Sequence, residues 1–346
     1  MDLLIFDMDG VLVDVSKSYR KTIQKTVHIY LEKCLDFRIE KRGMAKDEEI
    51  SLFKSVGGFN NDWDLTSGLL LYLLSISNLP PYSKQKRLSN IKEVIAHLKR
   101  EASIFEPNKI DLSKKKHLAR FLKEVRSFGG GLRGVQQALI NSWDGWIYRS
   151  GDLDKENLVK RIFQELYLGR QFTSCYHLTP IFYRGPGLYL REDLLIPRRI
   201  LSALKKRIRM GIASGRPRYE AELALKRFQL LPYFDSVITL DECMEQEQRL
   251  LHTTGKRANL LKPHPYSILR AIEEIGIPNP CCGYIGDVVD DMVATKAAKR
   301  KLDMVAIGFL GGRINRRTTR DSLVRAGANL IIERPKQLLR LLRLVD

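Results

Sequence analysis

The sequence predicts an α/β protein: a doubly wound parallel sheet, interrupted after its first strand by an all-helical insertion. Three observations predict it. The chain opens on a short apolar run, Leu3-Leu-Ile-Phe6, that stops at Asp7. From about residue 15 to about residue 191, leucine-rich amphipathic stretches recur at helical spacing. After Pro197, short apolar runs alternate with helical segments, the texture of βαβ units around a parallel sheet.

Taken in order, Leu3 to Phe6 reads as a fully buried strand, because it carries no polar alternation. The insertion is punctuated by turn clusters at Gly57-Gly58, Pro80-Pro81, Gly129 to Gly134 and Gly185 to Gly187. Its most apolar run, Leu65 to Leu79, is broken by Thr66, Ser67, Gly68, Ser75, Ser77 and Asn78 and reads as a buried helix, not a membrane span. Strands are then expected at Met210 to Ala213, Val237 to Leu240, Gly283 to Ile285, Met304 to Ile307 and Leu330 to Ile332. A lone first strand needs the C-terminal half to complete its sheet. The core domain is therefore expected over residues 1–14 plus 192–346, with a helical cap domain over 15–191. The polar stretch Asp241 to Asn259, with Glu242, Glu245 and Glu247, reads as a mobile surface insertion.

Composition narrows the partners. A chain of 346 residues, 44% of them hydrophobic, is long enough for two domains with their own cores. Its 59 basic against 40 acidic residues favour anionic partners: phosphate esters, nucleic acid or acidic surfaces. The basic residues thicken between Lys84 and Arg126, around Lys114, Lys115 and Lys116, which suits a solvated helical face. Five cysteines without a CxxC pair argue against a disulfide framework and a zinc site and fit a reducing cytoplasm. The N-terminal run lacks a basic region and is too short for a signal peptide, so a cytoplasmic protein without membrane partners is expected.

Chemistry is expected where strands end. Asp7 and Asp9 follow the first predicted strand, Ser214 follows Met210 to Ala213, and Asp287 follows Gly283 to Ile285. In an open parallel sheet the carboxyl ends of the strands line the ligand crevice. Lys262, in Lys-Pro-His-Pro before the helical stretch Tyr266 to Ile275, adds a cation able to screen a carboxylate from a phosphate dianion. Asp287, Asp290 and Asp291 crowd one turn without histidine or thiolate, a donor set suited to magnesium. Taken singly, each feature has a plainer reading. Asp-Met-Asp-Gly can be a strand-ending turn, Ser214-Gly215 a turn or helix cap, and Lys262 a surface lysine. An EF-hand is excluded, since Val11, Leu12 and Ser18 stand where that loop needs Asp or Asn, Gly and Glu.

In their joint order, DMDGVLVD at 7 to 14, IASGRP at 212 to 217, Lys262 and GDVVDDM at 286 to 292 resemble the four motifs of the haloacid dehalogenase superfamily. The core is similar to phosphoglycolate phosphatases, with an enlarged helical cap. The resemblance implies a magnesium-dependent phosphatase acting on a small phosphorylated substrate through an aspartyl-phosphate. It makes Asp7 the nucleophile and a metal ligand, and Asp9 the general acid and base with its carbonyl on the metal. Ser214 and Lys262 would hold phosphoryl oxygens, Asp287 would bind Mg2+ and Asp291 would support the ion through water. The second aspartate favours phosphatases and phosphomutases over dehalogenases and P-type ATPases. A phosphomutase using the same intermediate is one alternative. A nucleic-acid-binding protein on the same scaffold is another, although few aromatics interleave with the basic residues.

Lys54, Gly58 and Asn60, in a segment running to Asp64, are candidates for recognising the substrate, together with Arg216 beside Ser214. The plainer reading has Asp62 or Asp64 capping the next helix and Trp63 packing inside the cap. Gly129-Gly130-Gly131-Leu132-Arg133-Gly134 matches GxGxxG, but no strand precedes it, so it reads as a loop between helices.

Overall fold

The computed structural model describes residues 1–38, 44–59, 61–312 and 316–344. The chain divides into two compact units, Met1–Val15 with Glu192–Asp346, and Ser16–Arg191. The strands are β1 (Leu3–Phe6), β2 (Val13–Asp14), β3 (Asp193–Leu194), β4 (Arg209–Ala213), β5 (Ser236–Ile238), β6 (Cys282–Gly286), β7 (Met304–Phe309) and β8 (Leu330–Ile332).

All eight strands belong to the first unit. Six form a parallel sheet in the order β5-β4-β1-β6-β7-β8. From β1 the sheet grows one way to β4 and the other way to β6, so the strand order reverses around β1, the usual place for a ligand in such folds. β1 is fully apolar because both faces are covered. Leu4 and Phe6 join a core with Met210, Ile212, Ile285 and Ile307, while Leu3 and Ile5 pack with Ile268, Ala271 and Ile272 on the other side. Each such side chain stabilises the sheet by roughly 1.5–3 kcal/mol. The short strands β2 and β3 pair antiparallel, Val13 with Leu194 and Asp14 with Asp193, just where the chain leaves the unit and comes back.

The stretch expected to be a mobile insertion is instead ordered for most of its length. It forms a helix, Leu240–Thr254, opened by a capping box between Thr239 and Glu242 and closed by Gly255 at φ 67°. Its polarity has a packing cause: of this helix, Leu240 and Cys243 are the buried residues. The following segment is tied back, since the Leu260 amide donates to Glu247 Oε1 at 2.7 Å.

The second unit contains α-helices and short 3-10 and π turns, with no strand among the described residues. The helix Asp62–Ser75 is buried on every side from Leu65 to Leu74, which explains why it is apolar all round apart from Thr66 and Ser67, whose hydroxyls donate to the Asp62 and Trp63 carbonyls. Two glycine clusters meet: the Gly131 amide donates to the Gly57 carbonyl at 2.8 Å, and a Cβ on Gly131 would stand 2.2 Å from the Gly58 oxygen. Arg161 and Glu165 form a buried ion pair at 2.7 Å. No helix among the described residues is long and apolar enough to cross a membrane.

Candidate active site

The site is assembled by the sheet. β1 delivers Asp7 beyond Phe6, and the Asp7 amide donates to the Ile285 carbonyl at 2.8 Å, so the pairing of β1 with β6 continues into the turn after β1. β6 ends at Gly286, leaving Asp287 at the same level. Two glycines permit the approach. A Cβ on Gly10, whose φ is 76°, would lie 1.9 Å from Asp287 Oδ2, and one on Gly286 would lie 2.3 Å from the Asp291 Cβ. Asp7, Asp287 and Asp291 consequently bring carboxylate oxygens within 4.8 Å of one another, all three residues buried.

Lys262 lies 255 residues from Asp7 in sequence and reaches it at 2.7 Å, while also donating to Asp291 Oδ1 at 2.9 Å. Asp291 is fully occupied. Its Oδ1 also accepts from the Tyr284 hydroxyl at 3.0 Å, and its Oδ2 accepts from the Asp287 and Val288 amides at 3.0 and 3.2 Å, capping the helix Val289–Ala298. Burial, with the carboxylates of Asp291, Asp287 and Asp9 adding to it, pushes the Asp7 carboxyl well above the usual range although Lys262 opposes the shift. Burial pulls the Lys262 ammonium down, but Asp291 and Asp7 outweigh it and hold the group charged well above its ordinary value.

The donor set fits a hard divalent ion. Its ligand atoms are carboxylate oxygens, and three of them meet at one buried point beside the Lys262 ammonium. Asp9, although next to Asp7, has its carboxylate elsewhere: Asp9 Oδ1 accepts from Arg216 Nε at 2.5 Å. Ser214 is buried at the end of β4, where its Oγ accepts from the Arg216 amide at 3.2 Å. Asp290 is half-buried beside the cluster and not among its three carboxylates.

The candidates for substrate recognition fare differently. Arg216 is 1% exposed, and its guanidinium is bound to Asp9 and to Glu192. Lys54 forms an ion pair with Asp62 at 2.8 Å, and Gly58 packs on the backbone of Gly130 and Gly131, both structural tasks. Asn60 lies outside the described residues. The next helix is capped by the Asn61 side chain, which accepts from the Asp64 amide at 2.7 Å, and not by Asp62 or Asp64. Trp63 stands edge-on to Phe163 with the Lys160 ammonium over its ring. In the basic stretch, Lys115 is bound to Glu49 at 2.9 Å and to the Met44 carbonyl.

Two residues of the site escaped the sequence reading. Tyr284 is buried inside β6, and its hydroxyl meets Lys262 Nζ at 2.5 Å; the available signal was a polar-tipped side chain in an otherwise apolar strand. Glu192 carries no local signal, because its partner lies 24 residues away.

Comparison with known proteins places the fold. Residues 1–299 match the family model for hydrolases described as haloacid dehalogenase-like hydrolase. An X-ray structure of a Northeast Structural Genomics Consortium target is similar at TM-score 0.62 and 18% identity, covering 99% of this chain and 98% of the other. Phosphatase Tt82 from Thermococcus thioreducens is similar at TM-score 0.54 and 19% identity, covering 93% and 99%. In sequence, an imidazoleglycerol-phosphate dehydratase from Phytophthora nicotianae is 24% identical over 310 residues, spanning 89% of this chain and 43% of its own length. The chain thus covers less than half of that relative.

Proposed function

The chain belongs to the haloacid dehalogenase-like hydrolase family, and from that premise we propose that it is a magnesium-dependent phosphatase of small phosphorylated metabolites. The observation that carries the reading is the convergence of Asp291 and Lys262 on Asp7 and Asp287, which follow the ends of two adjacent parallel strands.

In this reading an Asp7 carboxylate oxygen attacks phosphorus as the bond to the ester oxygen breaks, giving an aspartyl-phosphate and an alcohol. Asp9, two residues on, supplies the proton to the departing oxygen and later removes one from the water that hydrolyses the intermediate. Lys262 lies on Asp7 and Asp291 before substrate arrives, so its charge is already in place for a phosphoryl oxygen, and Ser214 is positioned at the next strand end. Asp7 and Asp287, with the Asp9 carbonyl, would hold Mg2+, with Asp291 supporting it through water, and the ion when bound would neutralise charge on the transferring group. Asp291, through Lys262, Tyr284 and two amides, keeps this geometry rigid.

The test is phosphate release from a panel of small esters, with and without magnesium, using Asp7→Asn as control. The panel includes phosphoglycolate, sugar phosphates and imidazoleglycerol phosphate, the last because the sequence relative's name carries it. Magnesium-dependent release abolished by Asp7→Asn supports the reading. Turnover that appears with a bisphosphorylated activator and yields an isomer instead of phosphate would replace it with a phosphomutase.

A further inference from the structure

The buried arginine beside Asp9 has no role in the chemistry described above, yet its geometry is specific. Arg216 is 1% exposed and Glu192 is 1% exposed, while Asp9 keeps 32% of its side chain accessible. The guanidinium divides its donors between the two carboxylates: Nε to Asp9 Oδ1 at 2.5 Å, Nη1 to Glu192 Oε2 at 3.3 Å and Nη2 to Glu192 Oε1 at 3.2 Å. This is a two-pronged grip on Glu192 with the third donor spent on Asp9, a planar arrangement that a lysine has no means of reproducing.

Both ends of the chain of charges are anchored. The Arg216 amide bonds Ser214 Oγ and its carbonyl accepts from the Leu240 amide at 2.9 Å, so the backbone under the guanidinium is fixed to the ends of β4 and β5. The Glu192 carbonyl accepts from Arg227 Nη1 at 2.8 Å, and the next residue enters β3, paired with β2. Glu192 is also the first residue of the first unit after the chain returns to it. Asp9 is thus the accessible member of the triplet, and its carboxylate is held by a cation that two other elements fix in place.

We propose that Arg216 and Glu192 are positioning residues that hold the Asp9 carboxylate in the orientation from which it serves the leaving oxygen, with Glu192 fixing Arg216 and Arg216 fixing Asp9. The inference deepens the phosphatase reading and rests on it. Loss of the Glu192 charge removes the two-pronged anchor of the guanidinium, so that Arg216 no longer fixes Asp9 in one orientation. Loss of Arg216 would strand a buried carboxylate and threaten folding, so Glu192 is the residue to change.

General acid help matters most when the departing alcohol is a poor leaving group. The experiment therefore compares kcat/KM across phosphate monoesters from p-nitrophenyl phosphate to a simple alkyl phosphate, with magnesium, for the full chain and for Asp9→Asn, Glu192→Gln and Glu192→Asp. Asp9→Asn is expected to lose about 10²–10⁴-fold on the alkyl ester and far less on p-nitrophenyl phosphate. Glu192→Gln should show the same selectivity at about ten- to a hundredfold, with p-nitrophenyl phosphate changed less than about threefold, and Glu192→Asp should recover part of the loss. A purely structural role would lower all esters alike. A uniform loss, or no loss, in both Glu192 variants while Asp9→Asn still discriminates overturns the proposal and leaves the phosphatase reading standing. Absence of phosphate release by the unaltered chain from every ester overturns both. Glu192→Asp, which keeps the charge, decides the matter if Glu192→Gln does not fold.

Discussion

Each unit buries a cluster of charges, and the two clusters are built on opposite principles. In the helical unit, Arg161 and Glu165 are 1% and 0% exposed and pair at 2.7 Å, with the exposed Asp154 carboxylate 3.8 Å from Arg161 Nη1. Glu165 also accepts the amides of Ile181, Phe182 and Tyr183, and Arg161 stacks on Phe172 and donates to the Thr179 carbonyl. Every carboxylate oxygen is answered from within the protein. In the sheet unit, Asp7 and Asp291 share the Lys262 ammonium, Asp287 lies in the same cluster, and Asp7 is driven toward its protonated form by burial. A buried charge that is matched in place serves architecture, because its desolvation is offset by its own partners. A buried charge left in excess is costly to the fold and is retained for what binds there.

The largest expected difference lies in function against stability. Asp7→Asn should lower phosphate release by at least about three orders of magnitude. Its melting temperature without metal should equal or exceed that of the unaltered chain, since one repelled buried charge is removed. A marked drop in melting temperature would place Asp7 with the matched charges of the other unit.

The converse applies to Glu165→Ala, which strands the Arg161 cation among helices. Denaturant unfolding should show a loss of about 3–5 kcal/mol. A loss below about 1 kcal/mol would show that the pair is dispensable and break the contrast from the other side.

Added magnesium should stabilise the first unit by about 2.7 kcal/mol at a hundred times its dissociation constant. The thermal shift should vanish in Asp287→Asn and persist in Glu165→Gln, a residue outside the cluster. An equal shift in Asp287→Asn would mean that the ion is held elsewhere.

The smallest effect is on pH dependence in metal-free protein. Burial makes folded Asp7 hold its proton to higher pH than the ordinary value of 3.8, so unfolding releases a proton in that window. Stability should fall as pH climbs from that value through the raised folded one, by at most about 1.4 kcal/mol per pH unit from this group. Subtracting the Asp7→Asn profile should remove the slope. A profile identical in both proteins would show that Asp7 is not the group responsible.

Legibility from sequence followed the range of the interactions. The run Leu3 to Phe6 coincides with β1 because a strand covered on both faces must be apolar throughout, and the run Leu330 to Ile332 coincides with the edge strand β8, of which Ile332 is the buried residue. The helix Leu240–Thr254 was hidden because it rests on the core through little more than Leu240 and Cys243, leaving a polar pattern that resembles a loop. Lys54 and Gly58 suggested recognition because glycine beside a cation and an aromatic is common to binding loops and to tight packing. Only the approach of Gly130 and Gly131 distinguishes the two. The partners of Arg216 were hidden for a related reason: nothing near it in sequence shows its contact with Glu192.

By itself, the sequence determined the parallel sheet, the helical insertion after the first strand, and the order of acidic, hydroxyl and cationic residues at the strand ends. These depend on local periodicity and on where apolar runs stop. The tertiary structure alone decided which charges are matched and which are left over. It brought Lys262 across 255 residues to Asp7, placed Tyr284 beneath both, and set Arg216 between Asp9 and Glu192. The physical reason is that a charge's environment is fixed by the pairing of strands and the burial that follows, and neither is a property of the residue's neighbours in the chain.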